Sequence, residues 1–169
     1  KPDVVHIHEL HAYFVNIKPL LNHLKKKEIP VVWTFHCEFM YTGKCGIAYE
    51  CNQYTTGCGR CPQLSAYPKT MFFDFTHYMW KQKRDLLKDY KNLIIVTPSQ
   101  WLANRTKLSF LGKKEIRIIH KGINTSIFKN CSNRDELKIE YGIKENHIVL
   151  SVASHITTDP NKGARFIYQ

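Results

Sequence analysis

Five short runs of apolar, mostly β-branched residues are spaced along the chain, and within them polar residues do not alternate with apolar ones. Strands that are covered on both faces of a parallel sheet have this continuous character, whereas half-exposed strands alternate. The pattern therefore predicts five buried strands. They are residues 3–8 (DVVHIH), 30–36 (PVVWTFH), 92–99 (NLIIVTPS), 116–122 (IRIIHKG) and 147–154 (HIVLSVAS).

Between these runs, apolar residues recur at helical spacing. The first helix is expected to begin near Asn16 because Pro19 fits only its first turn. The second covers residues 77–89, while Ser99 and Ser132 are suited to cap a third and a fourth. The residues predicted to share buried faces are Phe14, Ile17, Leu21 and Leu24, then Trp80, Lys83 or Arg84, and Leu87, then Leu102 and Leu108. Alternating strands and helices predict an α/β fold with a parallel sheet.

One segment interrupts this alternation, from residue 38 to about residue 70. It is too long for a structureless loop in a compact domain. A second break, rich in turn-forming residues, lies near residues 121–133 and marks a candidate domain boundary. The chain therefore has one insertion of its own structure and one point at which a new domain can begin.

Four cysteines lie inside the first break with the spacing C-x5-C-x6-C-x2-C. Zinc binds four thiolates in a tetrahedron, and Gly57 and Gly59 permit a tight turn around the third cysteine. The pattern predicts a structural zinc site, with reduced thiols packed in a loop and disulfides as the open alternatives. The predicted ligands are Cys45, Cys51, Cys58 and Cys61.

The net charge of +11 favours an anionic partner, although lysine runs such as residues 25–27 also fit solvated helix ends. A membrane surface, an anionic substrate and nucleic acid all meet this requirement. Because the chain has neither a basic recognition helix nor an RNA-binding aromatic signature, we expect no nucleic acid partner. No run approaches the roughly 20 apolar residues that span a bilayer.

Polar residues close four of the predicted strands. Ligands of doubly wound sheets bind beyond the carboxyl ends of the strands, so these residues are candidates for one common cleft. They are His6, His8 and Glu9 after the first strand, His36 and Glu38 after the second, Ser99 after the third, and Lys121 and Gly122 after the fourth.

Taken together, the strand ends resemble the family 4 glycosyltransferases, and more closely the bacterial members that build polysaccharides. The matching segments are PDVVHIHELH, PVVWTFHCEF, IVTPSQWL, IIHKGINTSIF and VASHITTDPNKG, in the family's order and over nearly the whole chain. The resemblance implies the GT-B architecture, in which two Rossmann-like domains face each other across a cleft. It also implies that the nucleotide-sugar donor binds mainly to the second domain and the acceptor mainly to the first.

The resemblance and the abrupt chain ends lead us to expect an internal piece of a longer protein, inactive by itself. Residues 1–125 would be the later half of the N-terminal, acceptor-side domain, with a cysteine-rich insertion at 42–70. Residues 126–143 would connect the domains, and residues 144–169 would begin the C-terminal, donor-side domain.

The resemblance also assigns roles to single residues. His36 matches the histidine that faces the transferring sugar and is the expected catalytic residue. Lys162, followed by Gly163, matches the lysine that contacts the donor diphosphate, where a cation would neutralise the developing charge. Cys37 stands where the family usually has Asp, and Lys121 stands where it has Asn. The other expected substrate-binding residues are His8, Glu9, Ser99, Lys121 and Gly122.

We therefore predict a retaining, cytoplasmic glycosyltransferase that needs no cofactor for catalysis. It would transfer a hexose from a nucleotide-diphosphate sugar to a saccharide or lipid-linked acceptor. Residues 25–27 and the Tyr78-Met79-Trp80 stretch would suit a peripheral contact with anionic lipid at the inner face of the cytoplasmic membrane. The alternative is a zinc-stabilised, non-catalytic module that binds an anionic polymer, with affinity that falls steeply as salt rises.

Overall fold

A computed structural model of the chain describes residues 2–11, 14–66, 68–70, 72–130, 133–157 and 162–167. The chain divides into two compact units, Lys1–Gly122 and Ile123–Gln169. The assignment of residues 1–125, 126–143 and 144–169 to an acceptor-side domain, a connection and a donor-side domain stays a prediction.

The first unit is built on a four-stranded parallel sheet whose strands are ordered as in the chain. β1 (Val5–Ile7) pairs with β2 (Val31–Thr34), which pairs with β3 (Leu93–Thr97), which pairs with β4 (Glu115–Ile118). Because all four strands run in the same direction, their carboxyl ends meet at one edge of the sheet. The predicted parallel α/β class is confirmed.

Three helices connect successive strands, namely α1 (Ile17–Lys26), α2 (Thr76–Leu87) and α3 (Gln100–Lys107). α1 and α2 contact each other, and α3 packs against β3 and β4. The predicted cap of α3 is confirmed, because the Ser99 hydroxyl accepts a hydrogen bond from the N–H of Leu102 at 3.3 Å.

The buried helix faces follow the predicted spacing except at two ends. The residues of these faces that are buried are Leu21, Leu24, Trp80, Lys83, Leu87 and Leu102. Phe14 and Leu108, predicted to be buried, are exposed. Phe14 precedes α1, and Leu108 is the residue at which α3 ends, so neither lies on the regular helical face.

Burial of the strands differs between the centre and the edges of the sheet. β2 and β3 are almost wholly buried, as predicted, because each pairs with a strand on both sides. The prediction was wrong for β4, in which three of four residues are exposed. Among the described strands β4 pairs with β3 alone, so its outer edge and much of its surface face solvent.

The long segment after β2 is folded onto the sheet rather than extended into solvent. A row of aromatic rings leads from the strand into the segment, with centroid separations of 5.7 Å for Trp33 and Phe35, 6.3 Å for Phe35 and Tyr41, and 5.3 Å for Tyr41 and Tyr54. Tyr54 lies in a short 3-10 helix, Gln53–Thr55. All four rings are fully buried, so the segment extends the hydrophobic core.

Lys83 fastens this segment to α2 from inside the protein. Its buried ammonium donates hydrogen bonds to the carbonyl oxygens of Phe39 at 2.6 Å, Thr42 at 3.0 Å and Gly43 at 3.4 Å. It also lies 3.5 Å from the centroid of the Phe39 ring. Burial lowers the pKa of Lys83 to about 7, because the charged form loses its hydration.

Lys44 closes the segment on itself in the same way. Its ammonium, also buried, donates to the carbonyl oxygens of Gln63 at 2.8 Å, Leu64 at 2.8 Å and Ala66 at 2.9 Å. Main-chain carbonyls that a loop cannot pair with its own N–H groups are thus satisfied by two lysine side chains.

The second unit contains α4 (Arg134–Glu140) and a short 3-10 helix, Ala164–Phe166. The predicted strand at 147–154 is not formed, and Val149, Leu150 and Val152 are exposed. A strand needs a partner for its main-chain groups, and no described residue of this unit supplies one. Ser132, the predicted cap of α4, lies outside the described residues.

We expect Lys83→Met to lower the free energy of unfolding by at least about 2 kcal/mol, because three buried carbonyl groups lose their donor. Thermal and urea unfolding of the chain would measure the loss. Lys81→Met, on the exposed side of the same helix, is the matched control and should change stability by less than about 0.5 kcal/mol. Equal effects of the two substitutions would contradict the role of Lys83.

Candidate functional site

Two histidines meet at the carboxyl edge of the sheet, where β1 and β2 end side by side. His8 Nδ1 and His36 Nε2 lie 2.9 Å apart, at hydrogen-bonding distance, and the rings stack with centroids 5.3 Å apart. The Trp33 indole N–H donates to the His8 carbonyl oxygen at 2.9 Å and so fixes the chain just after β1. Both imidazoles are exposed and therefore accessible to a ligand.

Glu9 holds the turn that carries His36. One of its carboxylate oxygens accepts hydrogen bonds from the main-chain N–H groups of His36 and Cys37, the latter at 2.9 Å. The other oxygen lies 3.1 Å from His11 Nδ1 and accepts from the Cys37 thiol at 3.4 Å. A charged acceptor shared by two consecutive N–H groups fixes the main chain at this strand end.

The electrostatic surroundings favour a neutral imidazole at His36. Although the ring is largely exposed, partial loss of its hydration lowers its pKa; Glu9 opposes that change, and the positive charge of Lys121 and the neighbouring His8 lower it further. A neutral histidine can both donate and accept a hydrogen bond, which suits it to bind sugar hydroxyl groups. His6, whose ring centroid lies 4.5 Å from that of His8, is bound to the Thr34 hydroxyl at 2.9 Å.

The structure thus brings His8, Glu9 and His36 together, and it puts Lys121 close enough to influence His36. Ser99 serves as the cap of α3. Gly122 is exposed, and a Cβ there would meet no atom within 4 Å, so nothing in the first unit itself requires glycine at this position.

Lys162 and Gly163 belong to the second unit. Lys162 is exposed, and Gly163 has a φ of 72°, a left-handed conformation in which glycine is favoured. The substrate-binding roles of all these residues stay predictions.

Glu9, His11 and Cys37 also form a possible ligand set, because their ligand atoms lie within 4.8 Å of one another. The hydrogen bonds to Glu9 already account for this arrangement. Burial raises the pKa of the Cys37 thiol to about 12, so it is protonated at neutral pH rather than a thiolate. The cluster is therefore explained as a hydrogen-bonded support for the strand end.

Glu38, predicted to line the cleft, is instead fully buried and forms an ion pair with Arg105 that sequence reasoning missed. The Glu38 carboxylate, with no exposed surface, accepts from Arg105 Nε at 2.5 Å, the Tyr41 hydroxyl at 3.0 Å and the Ala48 N–H at 2.6 Å. Nothing in the sequence indicated that Arg105 pairs with Glu38, because Arg105 follows a polar helix residue and the two residues are 67 positions apart. The burial of Lys83, by contrast, could be expected from its helical spacing from Trp80 and Leu87.

The four cysteines of the insertion line one narrow cavity. Burial, together with the neighbouring thiols, raises the pKa of Cys45 to about 12 and that of Cys58 to about 11. The Gly43 N–H donates to Cys58 Sγ at 3.1 Å. Gly57 and Gly59, with φ of 141° and 150°, provide the predicted turn around Cys58.

The thiols fit a zinc site in number and placement but are more widely spaced than a formed tetrahedron. Zn–S bonds of about 2.3 Å put sulfur atoms roughly 3.8 Å apart. No three of the four sulfurs, all in described residues, lie within 4.8 Å of one another. The five cysteines that the structure describes are free of disulfides. Structural zinc stays a prediction, and it requires the thiols to move closer together than they are here.

Comparison with known proteins gives two matches. A family model described as Glycosyltransferase Family 4 matches residues 1–127. The putative colanic acid biosynthesis glycosyl transferase WcaC of Escherichia coli (strain K12) is 33% identical over 130 residues, which cover 73% of this chain and 32% of the relative. The chain thus spans about a third of that relative's length. No solved structure matches.

The parallel α/β sheet agrees with the Rossmann-like, GT-B fold that the sequence resemblance implies. The family model covers the whole sheet and every residue of the histidine site. The chain belongs to Glycosyltransferase Family 4.

Proposed function

We propose that this chain supplies the acceptor side of an enzyme that transfers a hexose from a nucleotide-diphosphate sugar to a saccharide or lipid-linked acceptor, with retention of configuration. The observation that carries the proposal is the His8–His36 pair, exposed at the carboxyl edge of a parallel sheet and fixed by Glu9. Ligands of such sheets bind at this edge. Family membership favours transfer over the alternative of a polymer-binding module.

In this proposal His36 hydrogen-bonds a hydroxyl group of the transferring sugar or of the acceptor. Its neutral imidazole keeps one donor and one acceptor nitrogen, of which one is engaged with His8 and the other is left for the sugar. Glu9 acts through the main chain of His36 and is a positioning residue. The increase in reaction rate comes from holding the donor sugar and the acceptor in one reactive geometry.

On the donor side, Lys162 would contact the diphosphate as the bond between the sugar and the diphosphate breaks. The leaving diphosphate gains negative charge, which a nearby ammonium stabilises. We propose a front-face displacement without a covalent intermediate, because no residue of the site is a convincing nucleophile. No cofactor has a part in this scheme.

The Escherichia coli relative is named for colanic acid biosynthesis, and we propose that this chain takes part in the broader process of polysaccharide assembly. We propose a cytoplasmic location, since nucleotide sugars are cytoplasmic substrates.

We expect His36→Ala to lower kcat about tenfold to a hundredfold, through loss of one positioned hydrogen bond, while the melting temperature stays almost unchanged. The test uses the full gene product and a panel of uridine and guanosine diphosphate sugars. The quantity measured is the release of nucleoside diphosphate. His23→Ala, an exposed histidine of α1, is the control. If turnover per folded molecule is unaffected, His36 is not part of the site.

We also propose that the four cysteines bind one structural zinc ion. The chain purified without added metal should then contain about one zinc, and Cys58→Ser should lose it and expose residues 42–70 to protease. Cys37→Ser, outside the four, should keep the metal. A metal-free chain with the same residues equally protected would contradict the zinc site.

A further inference from the structure

Residues 72–79, here called the aromatic segment, leave large apolar side chains in solvent just before and within the first turn of α2. Single exposed apolar residues are ordinary, but a contiguous group marks an interaction surface. The rings of Phe73 and Phe75 lie 6.0 Å apart. The exposed fractions are 84% for Phe72, 69% for Phe73, 57% for Phe75, 56% for Tyr78 and 37% for Met79.

The aromatic segment is exposed although its base is firmly held. Asp74 accepts hydrogen bonds from the Cys61 N–H at 2.7 Å, the Thr76 N–H at 2.8 Å and the Thr76 hydroxyl at 2.6 Å. Thr76 is buried so tightly against Gly43 that a Cβ on that glycine would lie 2.5 Å from the Thr76 carbonyl oxygen. The aromatic side chains are therefore presented by a fixed support rather than by a loose loop.

The aromatic segment lies at the same end of the sheet as His8 and His36. α2 returns the chain from the carboxyl end of β2 to the beginning of β3, so its first residues are at the carboxyl edge. Lys25, in the last turn of α1, donates to the carbonyl of Leu86 in the last turn of α2 at 3.2 Å. The lysines at 25–27 are therefore at the opposite end.

This placement corrects the surface expected from the sequence. Residues 25–27 and the Tyr78-Met79-Trp80 stretch do not form one patch, because about eight helical residues, or roughly 12 Å, separate Tyr78 from Leu86. Trp80 is buried, and its indole N–H donates to the Tyr54 carbonyl at 2.9 Å. The apolar surface is instead built by the phenylalanines that precede the helix.

Charge indicates which partner covers the aromatic segment. Exposed Lys69 and Lys81 flank it in the chain, and the carboxylate of Asp74 is engaged by its hydrogen bonds. The chain as a whole carries +11. Two copies with this charge repel each other, whereas an anionic lipid surface attracts both the lysines and the aromatic rings.

We infer that the aromatic segment docks on an anionic phospholipid bilayer and turns the histidine edge of the sheet towards it. This contact would be made at the bilayer surface, through the exposed aromatic side chains. Among the described residues there is no candidate membrane-spanning helix. Resting on the proposed function, the inference also selects a lipid-borne acceptor, because such an acceptor would reach His8 and His36 from the same side.

Flotation of the chain with phospholipid vesicles tests the docking without any enzymatic assay. We expect binding to phosphatidylcholine vesicles that contain about a third phosphatidylglycerol, and weak binding to phosphatidylcholine alone. The variant Phe72→Ser/Phe73→Ser/Phe75→Ser should bind at least about tenfold less, with an unchanged melting temperature. The control Phe128→Ser/Tyr141→Ser/Phe166→Ser removes three comparably exposed rings of the second unit, of 67%, 71% and 69%, and should bind within about twofold of the unaltered chain.

Equal binding by the triple variant and the unaltered chain would overturn the inference and assign any binding to the lysines alone. The inference would also be overturned if the unaltered chain failed to bind vesicles and instead formed a dimer that the triple substitution dissociates. The partner of the aromatic segment would then be a second copy of the chain. Docking that the triple variant loses, in a protein that transfers no sugar, would leave the docking standing and overturn the proposed function.

Discussion

The burial of one carboxylate at the end of β2 constrains everything that follows it in the first unit. Glu38 has no contact with water, and an unpaired charge in that position would cost several kcal/mol. The buried carboxylate is stabilised by the guanidinium of Arg105 from α3, and by the Ala48 N–H and the Tyr41 hydroxyl of the folded-back chain. The direction in which the chain leaves the strand is therefore fixed. The main chain at His36, two residues earlier, is therefore held in place as well.

The cysteine-rich insertion is in this sense a scaffold for the carboxyl edge of the sheet. Lys83 attaches it to α2 and Lys44 closes it, each through three main-chain carbonyl groups. The same insertion holds Asp74 through the Cys61 N–H and so supports the aromatic segment. One folded insertion thus supports both the histidine site and the apolar surface at the carboxyl edge of the sheet.

The sequence predicts the features that depend on local periodicity or on one neighbouring residue. Continuous apolar runs identified all four strands of the sheet, and the Ser99 cap followed from its place before a helix. The strand predicted from the fifth apolar run was wrong, because an apolar run becomes a strand only where a partner strand is available. Arg105 could not have been assigned to Glu38, since helix periodicity says nothing about a partner 67 positions away. Likewise, Glu9 binds main-chain N–H groups of His36 and Cys37, which any residues could have supplied.

The central claim is that the ion pair between Glu38 and Arg105 orders the insertion and the strand end together. Amide hydrogen exchange in Arg105→Met, compared with the unaltered chain, tests it most directly. The account predicts faster exchange at Ala48 and at the amides of His36 and Cys37, while Ile95 in the sheet centre keeps most of its protection. Loss of protection at Ile95 to the same degree would mean that the pair contributes only to global stability. Unchanged exchange at Ala48 would contradict the claim outright.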